Sequence, residues 1–349
     1  MKFVNVVLTV FFVAALGAGI MRIRHRPAVN PSLAAAHFAT SPDVLAIKDE
    51  KSRQKIVEGL EKVFGTPVDP HFPADLELKL PNIKEGAEFY REKCLHCHGL
   101  TGDGAGPTAK WVNPPPRDFR RGAFKFTSTD ASSQKPADDD LLRILHNGAT
   151  HTAMPSFVLD PEEKLKAVIE FVKFLSFRGE VEGLLVKNVE DDELADDSMA
   201  GNMKIVDKRW VEANGPDKKT KPPAASMPSG DKLAASIENG NKLFHSDKAK
   251  CSTCHGDEGR GDGSAAINPK TGQGILIDVW KNTIYPANLT LGVYRGGQRP
   301  IDLFYRVANG IKGTPMPGFR SSFTDEEVWD IVNYVRQIPY AGGKPEGGH

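Results

Sequence analysis

Cys94-Leu95-His96-Cys97-His98 and Cys251-Ser252-Thr253-Cys254-His255 decide how the rest of the chain is read. Both runs have the pattern C-x-x-C-H, by which a c-type haem is attached. The chemistry sets the spacing: two thiols on one helical turn each add to a vinyl group of the same macrocycle. The histidine that follows then supplies a nitrogen to the iron. All 4 cysteines of the chain lie in these two runs, so none is left for a disulfide. One four-cysteine zinc site is the other reading of two such pairs, but zinc pairs usually sit close in sequence and these do not. A thioredoxin-like dithiol needs no histidine after its second cysteine. The expectation is two covalently bound haem c groups, held by Cys94 and Cys97 and by Cys251 and Cys254.

Working outward, each motif sits in a similar frame. Gly86-Ala87-Glu88-Phe89-Tyr90 precedes the first, and Gly240-Asn241-Lys242-Leu243-Phe244 precedes the second. Each reads as a helix whose glycine permits close backbone approach and whose bulky pair turns inward. Glycine-rich loops follow, with Gly99, Gly102, Gly104 and Gly106 in one and Gly256, Gly259, Gly261 and Gly263 in the other. Asn147-Gly148 stands before Met154-Pro155 as Asn309-Gly310 stands before Met316-Pro317, with Phe157 and Phe319 in the same place beyond. A last helix closes each half. Leu165, Val168, Ile169, Val172 and Leu175 form one apolar stripe; Val328, Ile331, Val332, Val335 and Ile338 form its counterpart. Pro161-Glu162-Glu163 and Thr324-Asp325-Glu326-Glu327 read as the helix starts.

His98 and His255 are the expected proximal iron ligands, and Met154 and Met316 the expected distal ones. Those methionines share one repeat position, and a thioether favours ferrous iron and raises the potential. In the first half His151 and His146 lie close enough in sequence to compete with Met154. Iron held by histidine and methionine has no open position, which points to electron transfer rather than catalysis.

The pattern G-x-x-[FL]-[YF]…C-x-x-C-H-G…M-P with a closing helix resembles class I c-type cytochrome domains, over residues 80–177 and 234–340. The resemblance implies an all-α chain of two such domains in tandem, with the first and last helices of each crossing beside the haem. Gly86 is then expected near Phe171, and Gly240 near Tyr334. The run from Trp280 through Pro286-Ala287-Asn288-Leu289-Thr290 to Gly313-Thr314-Pro315-Met316-Pro317 is similar to dihaem cytochromes that accompany membrane respiratory oxidoreductases. Pro116-Arg117-Asp118-Phe119 stands where Pro286-Ala287-Asn288-Leu289 stands. Arg117 is read as a partner for a haem propionate or as a surface arginine. With Arg120, Arg121 and Lys125 it also forms a basic cluster able to meet an acidic partner.

The remaining segments divide the 349 residues as 1–26, 27–75, 76–180, 181–230 and 231–345. Residues 3–21 are apolar and close to the length that spans a bilayer, and no small-residue cleavage site follows closely. They are read as an N-terminal hydrophobic helix that anchors the chain, with a removed signal peptide as the alternative. Arg22, Arg24 and Arg26 would place its end in the cytoplasm by the positive-inside tendency. Haem attachment in bacteria occurs on the opposite side, and the haem motifs decide for the periplasmic face. Residues 27–75 are a connector with one helix from Asp49 to Phe64, showing Ile56, Leu60 and Phe64 on one face and stopping at Gly65. Residues 76–180 and 231–345 are the two cytochrome domains. Between them 181–230 reads as a partly ordered linker, acidic over Glu190-Asp191-Asp192-Glu193 and Asp196-Asp197, then rich in lysine, proline and serine from Lys218.

With 45 basic and 45 acidic residues, no field draws the chain to nucleic acid. The expectation is a dihaem carrier that passes single electrons to and from redox partner proteins, foremost a membrane respiratory complex, or serves as a subunit of one. A dihaem peroxidase or a haem-based sensor is the alternative.

Overall fold

The computed structural model describes residues 36–38, 40–133, 135–215 and 228–341. The apolar run 3–21, and with it the expected N-terminal helix, lies outside the described residues. Among the described residues no helix is long and apolar enough to cross a membrane.

From Phe38 onward the chain forms one unit, mostly helical. In the first half α1 spans Pro42–Leu45, α2 Glu50–Phe64, α3 Ile83–Lys93, α4 Leu95–His98, α5 Asp138–Asn147, α6 Glu162–Glu190 and α7 Ser198–Ala213. The second half has α8 over Asp231–His245, α9 over Cys251–His255, a hairpin of β1 (Leu276–Ile277) and β2 (Thr283–Ile284), α10 over Pro300–Asn309 and α11 over Asp325–Ala341. The expected helix in the connector forms as α2. Asp49 caps it by accepting from the Ser52 N–H at 2.8 Å, Ile56, Leu60 and Phe64 are buried, and Gly65 ends it.

The expected crossing of first and last helices forms in both halves. A Cβ on Gly86 of α3 would overlap the Ala167 carbonyl of α6 and touch Phe171 Cβ at 3.0 Å. A Cβ on Gly240 of α8 would overlap the Asp330 carbonyl of α11 and lie 2.8 Å from Tyr334 Cβ. Bare glycine lets these backbones touch.

The partly ordered linker expected over 181–230 is corrected for its first part. Helix α6 continues to Glu190 because its apolar stripe continues: Val181, Leu185 and Val186 are buried. The acidic stretch 191–197 forms the turn into α7, where Asp196 pairs with Lys55 at 2.7 Å. Helix α7 then buries Val206, Trp210 and Ala213. Its Asp207 carboxylate accepts from the backbone N–H groups of Glu77 and Leu78, each at 2.9 Å. An expected boundary at 75 and another at 180 therefore run through one continuous hydrophobic core, from Val44 to Trp210. A second core runs from Phe244 to Ile338.

Candidate haem sites

Each C-x-x-C-H run occupies a short helix, α4 or α9, directly after the helix that bears the crossing glycine. In α4 the His98 and Cys97 N–H groups both donate to the Cys94 carbonyl, at 2.9 and 3.2 Å, so thiols and imidazole share one turn. The glycine-rich loop then folds back over that turn in the same way in both halves. Gly104 N–H donates to His98 O (2.9 Å) and Gly106 N–H to Cys97 O (3.1 Å). Gly261 N–H donates to His255 O (2.7 Å) and Gly263 N–H to Cys254 O (3.2 Å).

The histidines are oriented by equivalent carbonyls. His98 Nδ1 lies 3.1 Å from Arg117 O, and His255 Nδ1 lies 3.3 Å from Ala287 O. A carbonyl only accepts, so each Nδ1 carries the proton and each Nε2 keeps its lone pair for a metal. Metal-bound histidines are commonly fixed by such a bond from the far ring nitrogen. Burial holds both imidazoles below their ordinary pKa, hence neutral. The carbonyls stand at the head of matching 3₁₀ turns, Phe119–Arg121 and Leu289–Leu291. Asp118 and Asn288 cap these turns through the N–H groups of Arg120 and Thr290. In the first half Phe119 also stacks on the His98 ring at 4.6 Å.

The loops that carry Met154 and Met316 are built alike. Ala149 N–H donates to Met154 O (3.2 Å), as Ile311 N–H does to Met316 O (3.1 Å). Thr152 Oγ1 accepts from Met154 N–H at 3.2 Å, and Thr314 Oγ1 from Met316 N–H at 3.3 Å. Beyond them Phe157 N–H donates to Leu145 O (2.8 Å) and Phe319 N–H to Val307 O (3.0 Å), tying each loop to α5 or α10. Both methionines are half-buried, and Met154 borders the same core as Cys94. The rival His151 is exposed, sits at φ 59° and turns to Gln298. His146 lies in the last turn of α5.

This donor set fits covalently attached haem c: paired free thiols, a neutral oriented imidazole and a thioether, in each half. Zinc or dithiol chemistry fits poorly. Burial pushes the Cys94 thiol up to about 12 and the Cys251 thiol up to about 11, away from the reactive thiolate of a dithiol redox pair. Among the described residues no group of histidine, cysteine and carboxylate side chains gathers to hold a metal ion.

The basic cluster does not stand free for an acidic partner. Arg120 pairs with Asp118 at 2.9 Å, Arg121 with Asp43 at 3.3 Å and Lys125 with Asp278 at 3.2 Å. Nor is Arg117 a free surface arginine: its guanidinium lies on the Trp280 ring, 3.7 Å from the centroid, and burial lowers its pKa to about 10. In the sequence Trp280 stands at the head of the run that resembles dihaem cytochromes, and nothing there marks it as a contact between the halves.

The model of the cytochrome c family matches residues 237–339. That of cytochrome c oxidase, cbb3-type, subunit III matches residues 81–172. Comparison with curated proteins gives no significant match. Among solved structures the chain is similar to one from a Kuenenia stuttgartiensis reducing HAO-like protein complex. The TM-score is 0.56 and the sequence identity 27%, over 75% of this chain and 99% of that one.

Proposed function

The chain belongs to the c-type cytochromes as a tandem of two such domains, and on that premise we propose that it is a dihaem carrier of single electrons. Cys94 and Cys97 would hold one haem covalently, with His98 and Met154 as its iron's protein ligands. Cys251 and Cys254 would hold the other, with His255 and Met316. Haem c supplies a one-electron ferric/ferrous couple, and a histidine–methionine pair raises its potential.

The observation that carries this reading is the duplicated bond from imidazole Nδ1 to a 3₁₀-turn carbonyl, at Arg117 and at Ala287. These carbonyls hold each imidazole in one tautomer and one orientation, so the ligand changes little between redox states. The methionine loops, each clamped by a threonine hydroxyl and a phenylalanine N–H, would supply a thioether as the second protein ligand of each iron. An iron held by both histidine and methionine would leave no position for peroxide or a gas, which favours a carrier over a peroxidase or sensor.

The partner is a larger redox protein, with the chain as a carrier to it or a subunit beside it. Support comes from the structural neighbour, which is a chain of a protein complex, and from the match to an oxidase subunit model. Haem attachment in bacteria takes place outside the cytoplasmic membrane, so the periplasmic face is the place of action. The apolar run 3–21 is the tether, and a tether raises local concentration near a membrane partner. Coulometric reduction of the purified protein tests the function. Two electrons per chain, returned on reoxidation and with no turnover of peroxide, support a dihaem carrier. One electron per chain, or catalytic reduction of peroxide, contradicts it.

A further inference from the structure

Trp280 lies in the turn of the β1–β2 hairpin, and its backbone is fixed from below. The buried Asp278 carboxylate accepts from the N–H groups of Trp280 and Asn282, each at 3.0 Å, and pairs with Lys125 of the first half. From there the indole crosses to the first half. Its Nε1–H donates to Asp118 O at 3.0 Å, and its face carries the Arg117 guanidinium, with Lys125 Nζ at 5.2 Å from the ring centroid. Cations on an indole face are attracted by the ring quadrupole, so two charges of the first half hold a ring of the second.

The far edge of the same ring rests on the loop that carries Met316. A Cβ on Gly313 would come within 2.7 Å of Trp280 Cη2, and Val279 N–H donates to Gly313 O at 3.0 Å. Gly313 adopts φ 76°, and its counterpart in the first half is His151 at φ 59°. The backbone is alike in the two loops, yet only the second lacks a side chain. That gap is where the indole lies.

A nearly continuous bonded route results. It runs from the His98 ring by a hydrogen bond to the Arg117 carbonyl, through the Arg117–Asp118 backbone, and by a second hydrogen bond to the indole. One van der Waals step then reaches Gly313, in the loop of Met316. Electron tunnelling decays less steeply along covalent and hydrogen bonds than across open gaps.

We propose that Trp280 is the positioning residue that couples the two redox sites of this chain, the bridge over which an electron passes between the halves. One electron leaves the ferrous iron of one half and reduces the ferric iron of the other. Trp280 is neither oxidised nor deprotonated, and no other reactant is consumed. The proposal rests on the two-haem reading.

Its test uses the full haem-loaded chain. Haem content is counted first by the pyridine haemochrome. The rate of electron exchange between the halves is then followed after flash reduction, in wild type, Trp280→Phe, Trp280→Leu and Gly313→Ala. The expected result is two haems in each, similar midpoint potentials, a several-fold slower exchange in Trp280→Phe and Gly313→Ala, and a larger loss in Trp280→Leu. The indole N–H of Trp280 is expected to resist hydrogen exchange in wild type. If Trp280→Leu loses a haem, Trp280→Phe and Gly313→Ala carry the test. An unchanged rate in variants that keep two haems overturns the bridge and leaves the two-haem reading standing. One haem per wild-type chain overturns both.

Discussion

Gly86 lies so close to Ala167 that a Cβ on the glycine would overlap the alanine's carbonyl oxygen. The contact joins α3, which leads into the first haem motif, to α6, which closes that half. Gly240 makes the same contact with Asp330. Backbone atoms of a packed helix cannot move aside cheaply, so Gly86→Ala and Gly240→Ala are each expected to cost about 1–3 kcal/mol. Gly183, exposed on α6 with nothing near its missing Cβ, is the control. Gly183→Ala is expected to add about 0.5–1 kcal/mol by helix propensity. Denaturant unfolding of the three variants checks the contrast, and equal effects at Gly86 and Gly183 contradict it.

Met154 and Met316 set the potentials if they are the axial ligands. Replacing a thioether by an imidazole favours ferric iron, so Met154→His lowers one midpoint and Met316→His lowers the other. His151→Ala is expected to leave both unchanged, since that ring is exposed and turned to Gln298. Spectroelectrochemical titration of the three variants reads this directly. A shift in His151→Ala with none in Met154→His would hand the ligand position to His151.

Arg143 joins equivalent carboxylates of the two halves, Asp140 at 3.4 Å and Asp302 at 3.5 Å. Burial raises the Asp302 pKa, but the Arg299 hydrogen bond and the charges of Arg143 and Arg299 outweigh it and hold the group below 3.8. A lowered carboxylate pKa gives stability that is present above the ordinary value and lost as the pH falls through the folded one. Arg143→Met is therefore expected to cost about 2 kcal/mol at pH 7. The difference from wild type should fade in acid, below the ordinary carboxylate pKa. Unfolding curves across that range test it, and a difference independent of pH would contradict the ion-pair account.

Lys312 meets Thr129 of the first half at 2.5 Å, and burial lowers its pKa from 10.5 to about 8. Between those values the unfolded chain binds the proton and the folded chain does not, so the penalty of burying the charge is fully present below pH 8 and vanishes as the pH rises towards 10.5. Its slope is at most about 1.4 kcal/mol per pH unit. Lys312→Met is expected to be the more stable form at pH 7, with the gap to wild type closing as the pH rises through this window. A gap that widens with pH would contradict this placement of the ammonium group.

What could be read from the sequence was what covalent chemistry and short-range period dictate. Thioether attachment fixes the spacing of Cys94, Cys97 and His98. The crossing glycines stand at a set distance before each motif, and the stripe from Leu165 to Leu175 declares its helix. The equivalence of Pro116-Arg117-Asp118-Phe119 and Pro286-Ala287-Asn288-Leu289 is legible, but the carbonyls of Arg117 and Ala287 as imidazole partners are not, because a backbone acceptor leaves no side-chain signal. The contacts made by Trp280 were not readable, since they join residues far apart through a hairpin turn with no periodic signal. Helix α7 was missed for another reason. Its apolar residues Val206, Trp210 and Ala213 follow an acidic turn, and local charge density masked a face that only tertiary packing buries.

The most direct measurement is the optical spectrum of the fully reduced protein before and after carbon monoxide. With His98 and Met154 on one iron and His255 and Met316 on the other, neither has a free position, and the spectrum is expected not to change. Conversion of either haem to a carbon monoxide adduct would contradict that account. An adduct confined to the first half would move the protein from carrier towards enzyme or sensor.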